Sequence, residues 1–478
     1  MPITVSSDEK TVRLSVYREY EKTFASAPIR LMSRAAARMQ AMGYPDQATA
    51  IGDMDWRTVP VDDPEDPGLR QEWSSLLDSG FQHAAGWLTQ LACHPMGYNI
   101  DSVGCPSVIN AWSALWREQI GLELANRDGE LPEIYVFHGG NQALQAALLG
   151  VAEARRERTG DGAATILAPI PTFSCPMDQM ALGGLNVVLL PPSSPDMDPD
   201  PADLDRVPEG TEVDGVYLMP ITNPTGRTIP PERLDAFVRA VLERWPHAGI
   251  VLDSVYVRLH GRHRELLTWS GAPELADHVI YIDSLSKTHG VTGLRSGALL
   301  TRSKSLVGGV LRYAQNVMAG PSNMMQAVAY SLLAPFLAGD RDVMANRLSL
   351  QLRIGRHMRR RRRLLLGRLF ENHRHLLDTS QPVLPDPDGF DWEGSLYGVV
   401  RLSDRCLELA EASGVTPTVA FYLETGYAGV PLSGFCGNPN LARHGLLANQ
   451  SDPVLVGFQK EAQRYVRLSF GMTPPPRD

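Results

Sequence analysis

One short stretch of the sequence combines residue types that suit an amine nucleophile beside a bound anion. The apolar run Val279 to Ile282 predicts a buried strand, and Ser284, Ser286 and Lys287 follow it among several glycines. A lysine that attacks a carbonyl must lose its proton easily, and burial or a nearby cation lowers its pKa. Arg295, eight residues after the lysine, offers a planar fork that fits a phosphate. Glycine-spaced loops are common, so this stretch taken alone would favour a strand, a turn and a solvated lysine.

The stretch resembles the lysine signature of the class I and II aminotransferases, which are pyridoxal 5′-phosphate enzymes of fold type I. The resemblance lies in the motif Ser-Leu-Ser-Lys287 and in Arg295. The sequence departs from the family at Ser296, where an aliphatic residue is usual. The resemblance implies that Lys287 is catalytic and holds the cofactor as a Schiff base. It also implies that Ser284 and Arg295 bind the cofactor phosphate.

Alternating strands and helices predict an α/β fold. The resemblance implies a large domain with a doubly wound, mostly parallel sheet and a smaller α/β domain. We expect an N-terminal helical segment at residues 1–51 that contributes to the small domain or to a dimer contact. The large cofactor-binding domain is then expected at residues 52–335 and the small C-terminal domain at 336–478. Residues 60–95 are interpreted as an insertion relative to the family.

A glycine turn between a strand and a helix predicts a second part of the anion site. Residues 133–137 predict a strand, Gly139 and Gly140 a turn, and residues 143–155 a helix. Free backbone N–H groups at a helix N-terminus stabilise a phosphate. A glycine pair alone is common, but the resemblance implies that Gly140 and Asn141 contact the cofactor phosphate.

Four residues near predicted strand ends are implied by the resemblance to bind the cofactor ring. Phe173 follows a proline turn and would stack on the ring, although a buried core phenylalanine fits the same pattern. Asn223, in the motif Asn-Pro-Thr-Gly, and Tyr256 would share the ring oxygen. Asp253 would keep the ring nitrogen protonated, so that the ring accepts charge from the substrate. Elsewhere an aspartate at a strand end is usually a cap or turn residue.

Three further residues are implied to complete the site. Arg467 lies at the centre of an alternating strand and would hold the substrate α-carboxylate through a bidentate fork. An arginine on the polar side of a strand is the alternative interpretation. Gly52 would line the substrate pocket or simply occupy a turn. Tyr98 would reach the cofactor phosphate of a neighbouring subunit, and a homodimer is therefore expected.

The composition excludes some classes of protein. The chain has 478 residues and a formal net charge of −9, so a nucleic-acid partner is not expected. The five cysteines are scattered without a CxxC pair, which predicts no metal site and fits a reducing cytosol. The polar start and the lack of a long apolar run predict no membrane association and a cytoplasmic location. The arginine run at residues 359–363 is interpreted as a mostly solvated helix face.

Together these features predict an enzyme that acts on the α-carbon of an amino acid. Transamination with a 2-oxo acid as second substrate is the expected outcome, and the length of the chain suggests specialised biosynthesis. The alternative is elimination or replacement of a β- or γ-substituent, with S-adenosylmethionine or a similar amino acid. A non-catalytic regulator built on the same scaffold is a further alternative. It is disfavoured because roughly 50 N-terminal residues are too few for a DNA-binding module with its linker.

Overall fold

A seven-stranded sheet forms the centre of the protein and has the strand order β1-β7-β6-β5-β4-β2-β3. The computed structural model describes residues 6–24, 28–122 except 48, 51, 55, 62 and 91–102, 133–380 except 161, and 394–471. The strands of this sheet are β1 (Ile134–Phe137), β2 (Thr165–Pro169), β3 (Asn186–Leu190), β4 (Gly215–Leu218), β5 (Gly249–Asp253), β6 (Val279–Ser284) and β7 (Gly297–Thr301). β7 is antiparallel to both its neighbours, and the other strand pairs are parallel. The predicted α/β class with a mostly parallel sheet is confirmed.

Helices pack against the sheet, and its strands are buried along nearly their whole length. Burial on both faces explains why the strands read as continuous apolar runs rather than as alternating patterns. The helices up to β7 are α1 (Ser7–Phe24), α2 (Pro28–Ala41), α3 (Leu69–Gln90), α4 (Pro106–Gln119), α5 (Gly140–Thr159), α6 (Ser174–Leu182), α7 (Pro231–Arg244), α8 (His263–Thr268) and α9 (Leu285–Thr288). The later helices are α10 (Lys304–Tyr313), α11 (Asn323–Ala338), α12 (Arg341–His373), α13 (Asp404–Ser413), α14 (Pro417–Thr425), α15 (Pro439–Arg443) and α16 (Pro453–Glu461).

A second, antiparallel sheet lies in the C-terminal part of the chain. Its strands are β8 (Tyr397–Arg401), β9 (Val430–Pro431) and β10 (Tyr465–Ser469), in the order β8-β10-β9. The register pairs Arg467 with Val399 on one side and with Val430 on the other. The central strand of this sheet therefore carries Arg467.

The two N-terminal helices pack on each other and reach the C-terminal sheet through α14 and β9. A buried ion pair fixes this contact, because Arg13 of α1 donates to the Asp46 carboxylate at 2.8 Å. The hydroxyl of Tyr422 in α14 donates to the same carboxylate at 2.7 Å. Several hydrogen bonds share these buried charges, which is the condition under which a buried ion pair is tolerated. The proposed domain boundaries remain predictions.

The helix within residues 60–95, α3, packs against α11 and supports the loop after Lys287. The indole N–H of Trp73 donates to the carbonyl of His289 at 2.8 Å. A Cβ on Gly290 would lie 2.5 Å from the Trp73 ring, so the loop and the helix are in close contact. This segment is consequently part of the framework around the lysine.

The interpretation of residues 359–363 as a mostly solvated face was wrong. Arg361 and Arg362 of α12 are buried, with 5% and 2% of their surface exposed. Arg361 donates to the carbonyl of Phe470 at 2.9 Å and to that of Thr58 at 3.2 Å. Consecutive residues point in all directions around a helix, and α12 packs on the rest of the protein over much of its length, so part of the run faces inward.

None of the helices in the described ranges combines the length and the apolar character of a membrane span.

Candidate active site

The residues predicted to do chemistry converge at one edge of the large sheet. Asp253 ends β5, Lys287 follows β6 in α9, and Asn223 lies in the turn after β4. Phe173 follows β2, and Gly140 begins α5 directly after β1. The carboxyl ends of parallel strands meet at the same edge, where α/β proteins bind their ligands. Residues that are far apart in the sequence thus lie around one site.

A cradle of backbone and guanidinium groups forms at the N-terminus of α5. Gly139 has φ 84°, a left-handed value that favours glycine, and it allows the tight turn into the helix. A Cβ on Gly139 would lie 2.6 Å from Nη2 of Arg295, so the guanidinium lies directly against this turn. Within the described residues, the backbone N–H groups of Gly140 and Asn141 have no hydrogen-bond acceptor. The N-terminal N–H groups and the arginine fit a phosphate.

Ser284 caps the short helix that carries Lys287. Its Oγ accepts from the backbone N–H of Ser286 at 3.0 Å and donates to the Ser296 carbonyl at 2.9 Å. A Cβ on Gly140 would lie 3.6 Å from Cβ of Ser284, so the serine borders the cradle. The structure thus gives Ser284 a capping role, and its contact with a phosphate stays a prediction.

Lys287 reaches across the site towards the loop that contains Gly52. Its Nζ donates a hydrogen bond to the carbonyl oxygen of Gly52. The next residue in that loop, Asp53, accepts a hydrogen bond from Thr292. These contacts hold the residue 52–54 loop against the lysine loop, and they place the lysine amine and Gly52 together.

Asp253 presents a buried carboxylate with one oxygen available. Oδ2 accepts from the hydroxyl of Tyr217 at 3.0 Å, whereas Oδ1 is buried without a hydrogen-bond partner among the described residues. Burial raises the pKa of this carboxyl from 3.8 to about 6, although the hydrogen bond from Tyr217 opposes the shift. A cationic N–H donor facing Oδ1 would compensate the cost of burying this charge.

Arg467 is a buried cation with polar neighbours but no acidic partner in the described parts of the chain. It is 1% exposed, Nη1 donates to Oδ1 of Asn223 at 3.2 Å, and Nη2 donates to the carbonyl of Ala50. Among the described residues, no atom accepts a hydrogen bond from its Nε, and burial lowers the pKa of the guanidinium. The aromatic rings of Tyr397 and Phe435 lie 4.7 Å and 5.0 Å from its guanidinium carbon. Such a cation is suited to an incoming carboxylate.

Tyr256 lies beside this arginine. The hydrogen-bond partner of Tyr256 was not predicted from the sequence. The hydroxyls of Tyr256 and Tyr397 are 2.8 Å apart, and the two rings pack edge to face. Burial is the main cause that raises the pKa of Tyr256 well above its ordinary value. The sequence gives no functional signal for Tyr397, because a tyrosine in a strand usually packs in a core.

Other supporting residues were also missed. Tyr217 lies inside β4, and only the pairing of β4 with β5 brings it next to Asp253. Asp283 forms a buried ion pair with Arg258 at 2.9 Å, and Trp116 donates to the same carboxylate at 2.8 Å. The only sequence signal for this pair was an aspartate at the end of an apolar run. The pair fixes the end of β6 directly before the segment that carries Lys287.

Two predicted contacts have a weaker structural basis. Phe173 is partly buried at the N-terminus of α6 and packs on the main core, so its stacking role stays a prediction. Tyr98 lies outside the described residues. The described residues contain no group of three or more histidine, cysteine or acidic side chains placed to hold a metal ion.

Comparisons with known proteins agree with this geometry. Residues 132–365 match the family described as aminotransferase class I and II. A valine–pyruvate aminotransferase of Mycobacterium tuberculosis is 26% identical over 266 residues, which cover 53% of this chain and 60% of that protein. The match therefore spans less than two thirds of this curated relative. Just under half of the chain, residues 132–365, thus matches the class I and II aminotransferases, whose members are pyridoxal 5′-phosphate-dependent transferases.

Solved structures of low sequence identity share the fold. Aspartate aminotransferase from Thermus thermophilus, solved with maleate, superposes with a TM-score of 0.63 at 18% identity and covers 95% of this chain and 94% of its own. N-succinyldiaminopimelate aminotransferase from Mycobacterium tuberculosis gives a TM-score of 0.63 at 20% identity, with the same coverage. The fold thus extends well beyond the segment that matches the family.

The residues present fit the cofactor of this family. The cradle at Gly139 and Arg295 suits its phosphate, and Oδ1 of Asp253 lacks the donor that a protonated ring nitrogen would supply. Lys287 lies at this edge of the sheet, and its amine contacts the carbonyl of Gly52.

Proposed function

We propose that the protein is an aminotransferase that removes the α-amino group of an amino acid and delivers it to a 2-oxo acid. The observation that carries this proposal is Arg467, a buried guanidinium without an acidic partner in the described residues. It lies beside Asn223 and Tyr397, on the same side of the molecule as Lys287 and its partner Gly52. A carboxylate bound there would place the Cα of an amino acid near the lysine amine.

The cofactor would be held by residues with complementary chemistry. Gly140, Asn141, Ser284 and Arg295 would bind its phosphate with N–H groups, a hydroxyl and a guanidinium. Asp253 would face the ring nitrogen. When bound, the cofactor supplies an electrophilic carbon for the amino group and a ring that accepts charge from Cα.

The remaining contacts to the ring use its oxygen and its face. Asn223 and Tyr256 would share the ring oxygen, and Phe173 would cover one face of the ring. In the structure Asn223 and Tyr256 are both 4% exposed or less, so hydrogen bonds made there would be shielded from water.

The protein's own groups would bind, orient and move a proton. Arg467 holds the α-carboxylate with a fork, which fixes the orientation of the Cα–H bond. The aromatic rings of Tyr397 and Phe435 exclude water from that contact. The Lys287 amine would take the proton from Cα as a general base and would return it, as a general acid, to the carbon on the other side of the amino nitrogen. The Gly52 carbonyl orients this amine.

The proposal is tested by absorbance spectroscopy of the protein reconstituted with pyridoxal 5′-phosphate. Ordinary L-amino acids are added one at a time, followed by a 2-oxo acid such as pyruvate. We expect the yellow band to give way to that of the pyridoxamine form and to return with the 2-oxo acid. Lys287→Ala should abolish turnover, whereas Lys304→Ala, at an exposed position, should leave it intact. Full activity of Lys287→Ala would contradict the proposal.

The same titration tests the alternative chemistry. S-adenosylmethionine belongs in the panel of amino acids, together with non-proteinogenic amino acids that would indicate specialised biosynthesis. A spectrum that changes without formation of the pyridoxamine form, with release of a β- or γ-substituent, would favour elimination or replacement. The role in specialised biosynthesis is part of this proposal, and the amino acids that the protein accepts from this panel test it.

We also propose a homodimer in the cytoplasm, with Tyr98 of one chain reaching the other chain's site. Exposed apolar side chains support a protein contact, since Phe81 of α3 is 52% exposed and Met324 of α11 is 59% exposed. Sedimentation equilibrium should give twice the chain mass of 52.5 kDa. If the sites are shared, a mixture of Lys287→Ala and Tyr98→Phe should be more active than either variant alone, because the mixed dimer has one site with both native residues.

A further inference from the structure

Tyr397 lies where the three-stranded sheet meets the candidate active site. It begins β8, is 2% exposed and pairs with Ser469, two residues beyond Arg467 in β10. Its hydroxyl lies 2.8 Å from that of Tyr256, and its ring centre lies 4.7 Å from the guanidinium carbon of Arg467. One side chain therefore touches both a proposed cofactor contact and the proposed carboxylate contact.

We propose that Tyr397 is a positioning residue whose hydroxyl donates a hydrogen bond to Tyr256, so that Tyr256 directs its own proton to the cofactor ring oxygen. This inference rests on the proposed function, since it needs the cofactor at this site. The Tyr397 ring has a separate task, which is to support the Arg467 guanidinium from one side.

The direction of the hydrogen bond follows from the number of protons. A phenol hydroxyl has one proton to donate and lone pairs that accept. If Tyr256 donates to the cofactor, the bond of 2.8 Å between the two hydroxyls can exist only with Tyr397 as the donor. A hydroxyl that accepts a hydrogen bond is polarised and donates more strongly. Tyr397 would therefore strengthen the bond between Tyr256 and the ring oxygen.

The groups around Tyr256 favour its protonated form. Four titratable or charged side chains face it from four different strands or strand ends: Tyr217, Asp253, Tyr397 and Arg467. Burial, the largest effect, and the negative charge of Asp253 raise the pKa of Tyr256, and Arg467 opposes them. The proton needed for donation to the cofactor is thus retained.

The same tyrosine accounts for the glycine at position 52. A Cβ on Gly52 would overlap the hydroxyl and ring of Tyr397. The Gly52 carbonyl accepts from Lys287. Tyr397 consequently lies between the loop that orients the lysine and the strand that carries Arg467, where a small displacement would disturb both.

The test is an absorbance titration with pH of the cofactor-loaded protein, in which the band reports the proton on the Lys287 nitrogen. The proton on the Lys287 nitrogen can form an internal hydrogen bond with the ring oxygen. A hydroxyl such as that of Tyr256 competes for the same oxygen, and it therefore favours the form in which the nitrogen has lost its proton. Tyr397→Phe should weaken this donor and move the titration midpoint to higher pH by roughly 0.5 pH units, the equivalent of a modest hydrogen bond. Because the ring stays, the KM for the amino acid should change by less than about twofold.

Two further variants make the result specific. Tyr256→Phe should raise the midpoint more, and adding Tyr397→Phe to it should have no further effect, because the relay is already broken. Tyr281→Phe removes a buried hydroxyl bonded to Ser270 and should leave the midpoint unchanged. Phe435→Leu should raise the KM without moving the midpoint.

An unchanged midpoint in Tyr397→Phe, with a raised one in Tyr256→Phe, would overturn the inference while leaving the proposed function intact. Additive shifts in the double variant would overturn it as well. A wild-type protein that forms no lysine–cofactor band would overturn both the inference and the proposed function.

Discussion

At the scale of single residues, the Asp253 carboxyl gives the site a measurable pH signature. Burial raises its pKa to about 6, compared with 3.8 in an unfolded chain. Between these values the folded protein binds a proton that the unfolded chain has released. The stability that this bound proton gives the folded protein is fully present below about pH 3.8 and is lost as the pH rises through about 6.

Asp253→Asn should remove this dependence in the cofactor-free protein. We expect the free energy of unfolding of the wild type, relative to the variant, to fall by roughly 2 kcal/mol between pH 4.5 and pH 7.5. Urea denaturation at both pH values measures it. Asp277→Asn, at an exposed position, is the control and should retain the wild-type dependence. If the free energies of unfolding of wild type and Asp253→Asn differ by the same amount at both pH values, the raised pKa of Asp253 is contradicted.

Arg467 provides the second prediction at this scale. Arg467→Lys keeps the charge but loses the fork that holds a carboxylate in one orientation. We expect kcat/KM for the amino acid to fall by about 10- to 100-fold, with unchanged affinity for the cofactor. Arg401→Lys in β8 is the matched control, because Arg401 pairs with Asp378 and Glu461 away from the site. Equal losses in the two variants would refute a role in carboxylate binding.

Residues at strand ends could be predicted from the sequence, whereas those inside strands could not. Lys287, Asp253 and Arg467 stand out because a charged residue follows or interrupts an apolar pattern. Tyr217 and Tyr397 match the pattern of a buried strand, and their contacts with Asp253 and Tyr256 depend on how strands pair. Such contacts arise only from the folded register.

At the scale of elements, close backbone contacts position the helices around the site. Gly355 lies in α12 where a Cβ would overlap the carbonyl oxygen of Leu259. Leu259 follows closely on Tyr256 and Arg258, so this contact supports the segment after β5. At Gly367 of the same helix, a Cβ would have no described atom within 4 Å apart from its chain neighbours and the backbone of its own helix.

The two glycines of α12 make a matched pair of tests. Gly355→Ala should destabilise the protein by about 1–3 kcal/mol, since the helix and the Leu259 backbone must move apart. Gly367→Ala should instead stabilise it by up to about 1 kcal/mol, because alanine favours the helix. Urea denaturation of both variants distinguishes them. Similar changes of the same sign would show that α12 does not pack closely at Gly355.

The order and type of the elements were largely predictable, and side-chain burial on α12 was not. Apolar runs bounded by glycine and proline indicate buried strands, and the large sheet confirms those predictions. The arginines at 359–363 were misinterpreted because the sequence does not show which helix faces are covered. Hydrogen bonds from Arg361 to Phe470 and Thr58 need segments that lie far away in the chain.

At the scale of the whole molecule, two sheets bring the site together. The large sheet supplies Asp253, Asn223 and Lys287, and the small sheet supplies Arg467 and Tyr397. The N-terminal loop at Gly52 contacts Lys287, which follows the large sheet, and Tyr397 of the small sheet. Under the proposed function, a substrate would therefore be held between groups from both sheets, and its carboxylate and its reacting carbon would be recognised by different parts of the fold.

The most direct test of an aminotransferase is the transfer of the nitrogen itself. The protein loaded with pyridoxal 5′-phosphate is mixed with one equivalent of a 15N-labelled amino acid, quenched and analysed by mass spectrometry. We predict 15N-labelled pyridoxamine 5′-phosphate together with the matching 2-oxo acid, and no labelled cofactor from Lys287→Ala. Unlabelled cofactor from the wild type, with a substrate that has lost a side-chain substituent instead of its amino group, would contradict the account.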